Sequence, residues 1–131
     1  MLHLVVVRIP PDGAAVRDWA TFLTSAERGY AGSRLRADEH IAARIAARQA
    51  VLDVLGLDGL GPHVLGWETQ PPWRSIEVVR GPAGEPRVSI GGEVEELRRS
   101  RGLAVPGISL SHAAGFAAAV AWLPEYGEAG P

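Results

Sequence analysis

Five alanines, Ala42, Ala43, Ala46, Ala47 and Ala50, sit within the stretch HIAARIAARQAVLDVLG, and they constrain the fold more than any other feature of the chain. At about 100° per residue, Ile41, Ile45, Leu52 and Leu55 fall in one apolar stripe about 80° wide. The alanines fill most of the remaining arc and let a second element approach closely. The spacing therefore predicts a helix over 39–55, mostly buried, opened by Asp38 as N-cap and closed by Gly56 as its C′ residue. Arg44 and Arg48 lie in or beside the stripe, and Gln49 and Asp53 form an i,i+4 pair beyond its other edge. Polar groups on a buried helix must find partners or line a cleft. Pattern alone favours the blander solution, in which both arginines snorkel and Gln49 caps a neighbouring carbonyl.

The other segments surround this helix. LHLVVVRI, residues 2–9, is a β-branched run without alternation, as in a strand buried on both faces. PPDG turns the chain. Val16, Trp19 and Leu23 recur at helical spacing, and Thr24 with Glu27 in TSAE fits a capping box opening another short helical piece. Residues 29–36 read as loop, and LDGLGPHVLGWETQPP is a Gly/Pro-rich connection. WRSIEVVR and EPRVSI read as strands joined through GPAG, a hairpin signal. GEVEELRRSRG reads as a polar surface helix. GISLSH and AAAVAWL read as two more strands around a bend at HAAG. The order β-α-α-β-β-α-β-β implies an α+β domain over residues 1–123, with helices on a mainly antiparallel sheet and a frayed tail at 124–131.

At 131 residues the chain is long enough for a core without staples. A net charge of −2 argues against a general nucleic-acid binder. The opening MLHLVVVRIPPDG is too quickly broken for a secretory segment, and no apolar run reaches a membrane span, so no membrane partner and a cytoplasmic location are expected. The absence of cysteine removes disulfides and thiolate metal sites. All 13 basic residues are arginine, which makes Lys-to-Arg exchange compatible with drift. His40 and His63 fit no metal spacing with an acidic partner.

HIAARIAARQAVLDVLG resembles the signature helix A-x-R-F-A-A-K-E-A-x-x-K-A-L-G of the holo-acyl-carrier-protein synthase type of 4′-phosphopantetheinyl transferase. FLTSAERGY resembles that family's F-T-x-x-E segment, WRSIEVVRGPAGEPRVSIGG its D-I-E-V…G-K/R-P hairpin, and ISLSHAAGFAAAVAW its S-x-S-H strand pair. The four motifs follow in order over residues 20–123. The resemblance implies an α+β synthase-like fold with a long helix on a mainly antiparallel sheet. It also implies a homotrimer with a cofactor cleft at each subunit boundary, and transfer of phosphopantetheine from coenzyme A to a carrier-protein serine with Mg²⁺ on the pyrophosphate. The alanine face of the long helix and the strand AAAVAWL are the surfaces expected to be covered by neighbours in that ring.

The departures fall where the family does its chemistry. LHLVVV resembles the first strand, with His3 in place of the metal-binding Asp, and Gln49 stands in place of the metal-binding Glu. A hard cation prefers anionic oxygen ligands, so no Mg²⁺ is expected. Asp53 and Glu85 invert charge at positions where the family carries basic residues against phosphate. Arg44, Arg48, Ser109 and His112 match cofactor-binding positions, with S-x-S-H lying along the coenzyme A nucleotide. His3, Asp53 and His112 are candidate acid–base residues if subunits bring them together. Glu27 is explained by its capping box.

The resulting expectation is a synthase-like protein that has lost Mg-dependent transfer. It would bind or act on acyl groups tethered to an acyl carrier protein through phosphopantetheine, in polyketide- or fatty-acid-type metabolism, with weak binding of free coenzyme A. The alternatives are an active holo-acyl-carrier-protein synthase and a non-catalytic carrier-binding or structural subunit.

Overall fold

The computed structural model describes residues 2–9, 11, 13–21, 23–32, 36–57, 75–113 and 115–124. Strand β1 (Leu2–Arg8) is followed by helices α1 (Gly13–Ala20), α2 (Ser25–Gly32) and α3 (Ala37–Val54). Then come the hairpin strands β2 (Ile76–Arg80) and β3 (Pro86–Ile90), helix α4 (Gly92–Ser100), and strands β4 (Gly107–Ala113) and β5 (Phe116–Trp122). One antiparallel sheet has the order β1-β5-β4, and β2 and β3 form a second antiparallel pair. The α+β class holds, with three helices ahead of β2 among the described residues.

Ala42, Ala43, Ala46, Ala47 and Ala50 are all at most 3% exposed, and so are Ala117, Ala119 and Ala121 of β5. Helix α3 packs on the three-stranded sheet. Ala42 and Ala43 meet Ala117, and Ala46, Ala47 and Ala50 share a core with Ala119 and Ala121. Small side chains on both elements let helix and sheet approach closely. The alanine face is thus consumed inside the chain, which corrects its assignment to a subunit contact.

Strand β1 is not buried on both faces. Leu2, Leu4 and Val6 are 63%, 60% and 58% exposed, because α3 covers only the opposite row of the sheet. Phe116 and Trp122 of β5 are exposed too.

The boundaries of α3 differ at one end. The helix starts at Ala37, after an Arg36 in the left-handed region (φ 58°) that makes no side-chain cap. Asp38 therefore lies in the first turn, where its charge suits the helix dipole, and is not the N-cap. The C-terminal expectation holds. Gly56 has φ +75°, Gly56 N–H donates to Asp53 C=O (3.0 Å) and Leu57 N–H to Leu52 C=O (2.8 Å), a Schellman closure. Arg101, just beyond α4, donates to the carbonyls of Leu55 and Gly56 and ties α4 to this end.

Residues 29–32 belong to α2 rather than to a loop. The Gly/Pro-rich connection at 58–74, with His63 and Trp73, lies outside the described residues, as do Ala114 in the bend and residues 125–131 of the tail.

Candidate functional site

The capping box is present. Glu27 N–H donates to Thr24 Oγ1 (3.3 Å), and Thr24 N–H donates to Glu27 Oε1 (3.1 Å). Glu27 does far more than cap. It is 2% exposed and also accepts Arg48 Nη1 (2.9 Å), Arg48 Nη2 and the backbone N–H of Val78 (3.1 Å). One carboxylate thus joins α2, α3 and β2. The sequence signal was the coincidence of a capping box with a family glutamate.

Arg48 is 0% exposed, so it neither snorkels nor lines a cleft. Glu27 pairs with its guanidinium in the interior. This corrects the assignment of Arg48 to the cofactor. Gln49 does not cap a carbonyl. Its Nε2 donates to Asp53 Oδ1 (2.8 Å), one turn along the same helix.

Arg44 differs from Arg48. It is 5% exposed and donates Nη1 to His40 C=O (3.3 Å), yet its Nε makes no hydrogen bond among the described residues. Glu27 Oε2 stands 4.0 Å from that nitrogen, but Arg48 already engages it. Burial holds the Arg44 pKa below the usual arginine range. The Glu27 charge works against that depression, and the Arg48 charge adds to it. Among the described residues both buried guanidiniums lie beside the one buried carboxylate of Glu27, which Arg48 engages directly.

Arg44 lines a cleft of about 200 Å³ together with His40, Arg80, Gly84, Leu110 and His112, among others. A second hollow of about 240 Å³ on the other side contacts Glu27, Tyr30, Arg44, Glu77 and Arg80. The guanidinium carbons of Arg44 and Arg80 lie 4.7 and 4.6 Å from the Tyr30 ring centroid. His112 Nδ1 is 2.7 Å from Glu39 Oε2, an ion-pair contact rather than an aligned hydrogen bond. The His112 ring lies edge-on to His40 at 5.5 Å. Tyr30, Glu39, His40 and Arg80 were not singled out by sequence patterns, since only tertiary packing gathers α2, α3, β2 and β4 around one space.

Strand alternation separates residues that are close in sequence. Ile108 and Leu110 pack inward on β4, His112 continues that row into the cleft, and Ser109 lies exposed on the opposite face. Ser109 and His112 therefore do not share one cleft of one chain. His3 pairs with Ala121 and His112 with Ala117, four residues apart along β5. At about 3.3 Å per residue that is roughly 13 Å along the sheet, with β5 between them. Within one chain neither His3 nor Asp53 meets His112.

Glu85 does not confront the cleft. Ala83 N–H donates to its Oε2 (2.9 Å), Arg87 Nε donates to its Oε1 (3.1 Å), and it is absent from the cleft lining. Backbone N–H groups, its own first and then that of Ala83, with Arg87, hold its carboxyl below the usual range. The expected repulsion between Glu85 and a bound polyanion is thus met by the turn itself.

His3 and Gln49, which the sequence resemblance sets at the family's metal positions, offer an imidazole and an amide, poor ligands for a hard divalent cation, and Gln49 Nε2 is already bonded to Asp53. Among the described residues no three His, Asp or Glu side chains gather as a metal site.

The comparisons agree with this architecture. The chain is 38% identical over 102 residues to the holo-[acyl-carrier-protein] synthase of Moorella thermoacetica, covering 78% of this chain and 73% of that protein. It is 34% identical over 115 residues to the synthase of Clavibacter sepedonicus, covering 82% and 88%. No protein-family model matches the chain. Among solved structures, the coenzyme A complex of the Chronobacterium ammoniagenes synthase superposes with a TM-score of 0.74 at 25% identity, covering 95% of this chain and 96% of that one. The acyl carrier protein synthase of Mycobacterium tuberculosis gives 0.62 at 28% identity, covering 94% and 95%. The fold is that of the holo-[acyl-carrier-protein] synthases. The chain belongs to the holo-[acyl-carrier-protein] synthase family.

Proposed function

We propose that this protein transfers 4′-phosphopantetheine from coenzyme A to a serine of an acyl carrier protein. The serine oxygen bonds to the phosphorus nearer the pantetheine arm and the hydroxyl proton is released. The pyrophosphate P–O bond breaks, and adenosine 3′,5′-bisphosphate leaves. The observation that carries this reading is the buried Arg44, whose Nε makes no hydrogen bond among the described residues, on the wall of a cleft that also holds Arg80 and His112. A cation desolvated in this way is stabilised by a phosphate ligand, which it meets through a planar fork of donors. The similarity to synthases at 34–38% identity supports the same reading.

In this reading Arg44 and His112 bind the nucleotide phosphates, with Glu39 orienting the His112 ring. Ser109 contributes from a neighbouring subunit, because it lies on the outer face of the sheet. We propose a homotrimer, supported by the apolar outer face of β1 and β5, where Leu2, Leu4, Val6, Phe116 and Trp122 are exposed in the isolated chain. Among the described residues no helix is long and apolar enough to cross a membrane.

One observation favours a second reading. The imidazole and amide at the metal positions suit a protein that binds carrier-tethered phosphopantetheine and does not transfer it. Calorimetry separates the two. A transferase binds coenzyme A itself, whereas the second reading requires uptake of holo carrier protein with weak coenzyme A binding.

A further inference from the structure

The geometry points to Arg80, positioned by Tyr30, as a phosphate-contacting residue of the cleft. This inference rests on the proposal that the cleft takes the nucleotide end of coenzyme A, and it names a side chain that no sequence motif marks.

Arg80 is the last residue of β2 and is exposed, so nothing in the core requires a guanidinium there. It is nevertheless held at two points. Its Nη1 donates to Gly84 C=O (2.7 Å), and its Nη2 donates to the Tyr30 hydroxyl. The first partner belongs to a tight turn, where Gly84 has φ +84° and its N–H is bonded to Gly81 C=O (2.9 Å). The second is on α2, whose register is fixed by Glu27. A guanidinium has five N–H donors, so these two bonds leave others for a ligand without loss of orientation. The guanidinium carbon also lies 4.6 Å from the Tyr30 ring centroid, a cation–π contact that holds the group further.

The same ring carries Arg44 at 4.7 Å. Two like charges at one aromatic ring repel each other, and a phosphate reaching both would remove the repulsion. Arg44 supplies the charge of a guanidinium in the cleft wall, and Arg80 supplies preorganised donors beside it. The chemical class that fits is a phosphate or pyrophosphate anion. Tyr30 is then a positioning residue, acting through Arg80.

The test is calorimetry on the full chain with three probes: coenzyme A, adenosine 3′,5′-bisphosphate and inorganic pyrophosphate. Arg80→Ala is expected to weaken uptake of all three by about tenfold or more, the loss expected for a charge-assisted hydrogen bond. Arg80→Lys is not expected to rescue it, because an ammonium cannot hold the ring contact and the fork together. Tyr30→Phe keeps the ring and removes the hydroxyl, so a smaller loss of about threefold is expected. Arg87→Ala controls for net charge, since Arg87 is committed to Glu85 outside the cleft, and should leave binding unchanged. Thermal melting without ligand should be the same for Arg80→Ala and wild type. Wild-type-like affinity in Arg80→Ala, or an equal loss in Arg87→Ala, overturns the inference while leaving the coenzyme A reading intact. Arg80-dependent uptake of pyrophosphate with no uptake of coenzyme A supports the inference and refutes that reading. Failure of the wild type to take up any probe overturns both.

Discussion

Arg48 and Glu27 meet in the interior, the guanidinium donating both terminal nitrogens to a carboxylate that also caps α2 and accepts the Val78 N–H. Their side chains are 0% and 1% exposed. Removing one partner of such a pair strands the other charge without solvent, at a typical cost of about 3–5 kcal/mol. Glu27→Gln should lower the stability to unfolding by that order in urea denaturation. A loss under about 1 kcal/mol, the scale of a surface ion pair, would contradict a buried network.

The outer row of the sheet gives a prediction about assembly. Leu4 and Val6 of β1 are exposed beside the outward residues of β5. A glutamate at Leu4 puts a charge in the centre of the apolar face. Light scattering at micromolar concentration should find a trimer for the wild type and a shift towards monomer for Leu4→Glu. A monomeric wild type refutes the ring.

Helix α4 makes a prediction about acid. The hydrogen bond from Arg98, followed by that from Arg99, holds the Glu95 carboxyl down to about 2 from an ordinary 4.5. A depressed carboxyl pKa contributes stability that is complete above the unfolded value and fades as pH falls through the folded one. Amide-exchange protection of α4 should therefore decline between pH 4.5 and about 2. Glu95→Gln should have lost that dependence. Identical pH profiles for the two proteins count against the ion-pair cluster.

The metal positions can be rebuilt. His3→Asp with Gln49→Glu restores two anionic oxygen donors, and Mg²⁺ affinity measured by titration should rise above that of the wild type. A double variant that titrates like the wild type would show that these positions do not face a common site in the assembly.

Much of the fold was legible because it is written in local periodicity. The stripe and alanine arc of residues 41–55 specified a buried helix, Gly56 specified its end, and the turn at GPAG specified the β2–β3 hairpin. What failed was information carried by partners distant in sequence. Residues 2–9 look the same whether one or both faces are covered, so the exposure of Leu4 was unreadable. Arg44 and Arg48 occupy similar helical positions, and only the approach of Glu27, from 21 residues earlier, separates a structural ion pair from a cleft cation. The strand alternation that puts Ser109 and His112 on opposite faces was in the sequence and was overridden by their proximity in one motif. Arg80 and Tyr30 carried no local signal, because their 50-residue separation closes only in the folded chain.

The central claim is that the cleft serves phosphopantetheine transfer. Its most direct test is intact-mass spectrometry of an apo acyl carrier protein incubated with coenzyme A and this protein, with and without added Mg²⁺. Appearance of the phosphopantetheinylated carrier, with loss of conversion in Arg44→Ala, is the predicted result. A carrier that stays apo in every condition, although the protein binds holo carrier protein, would contradict it.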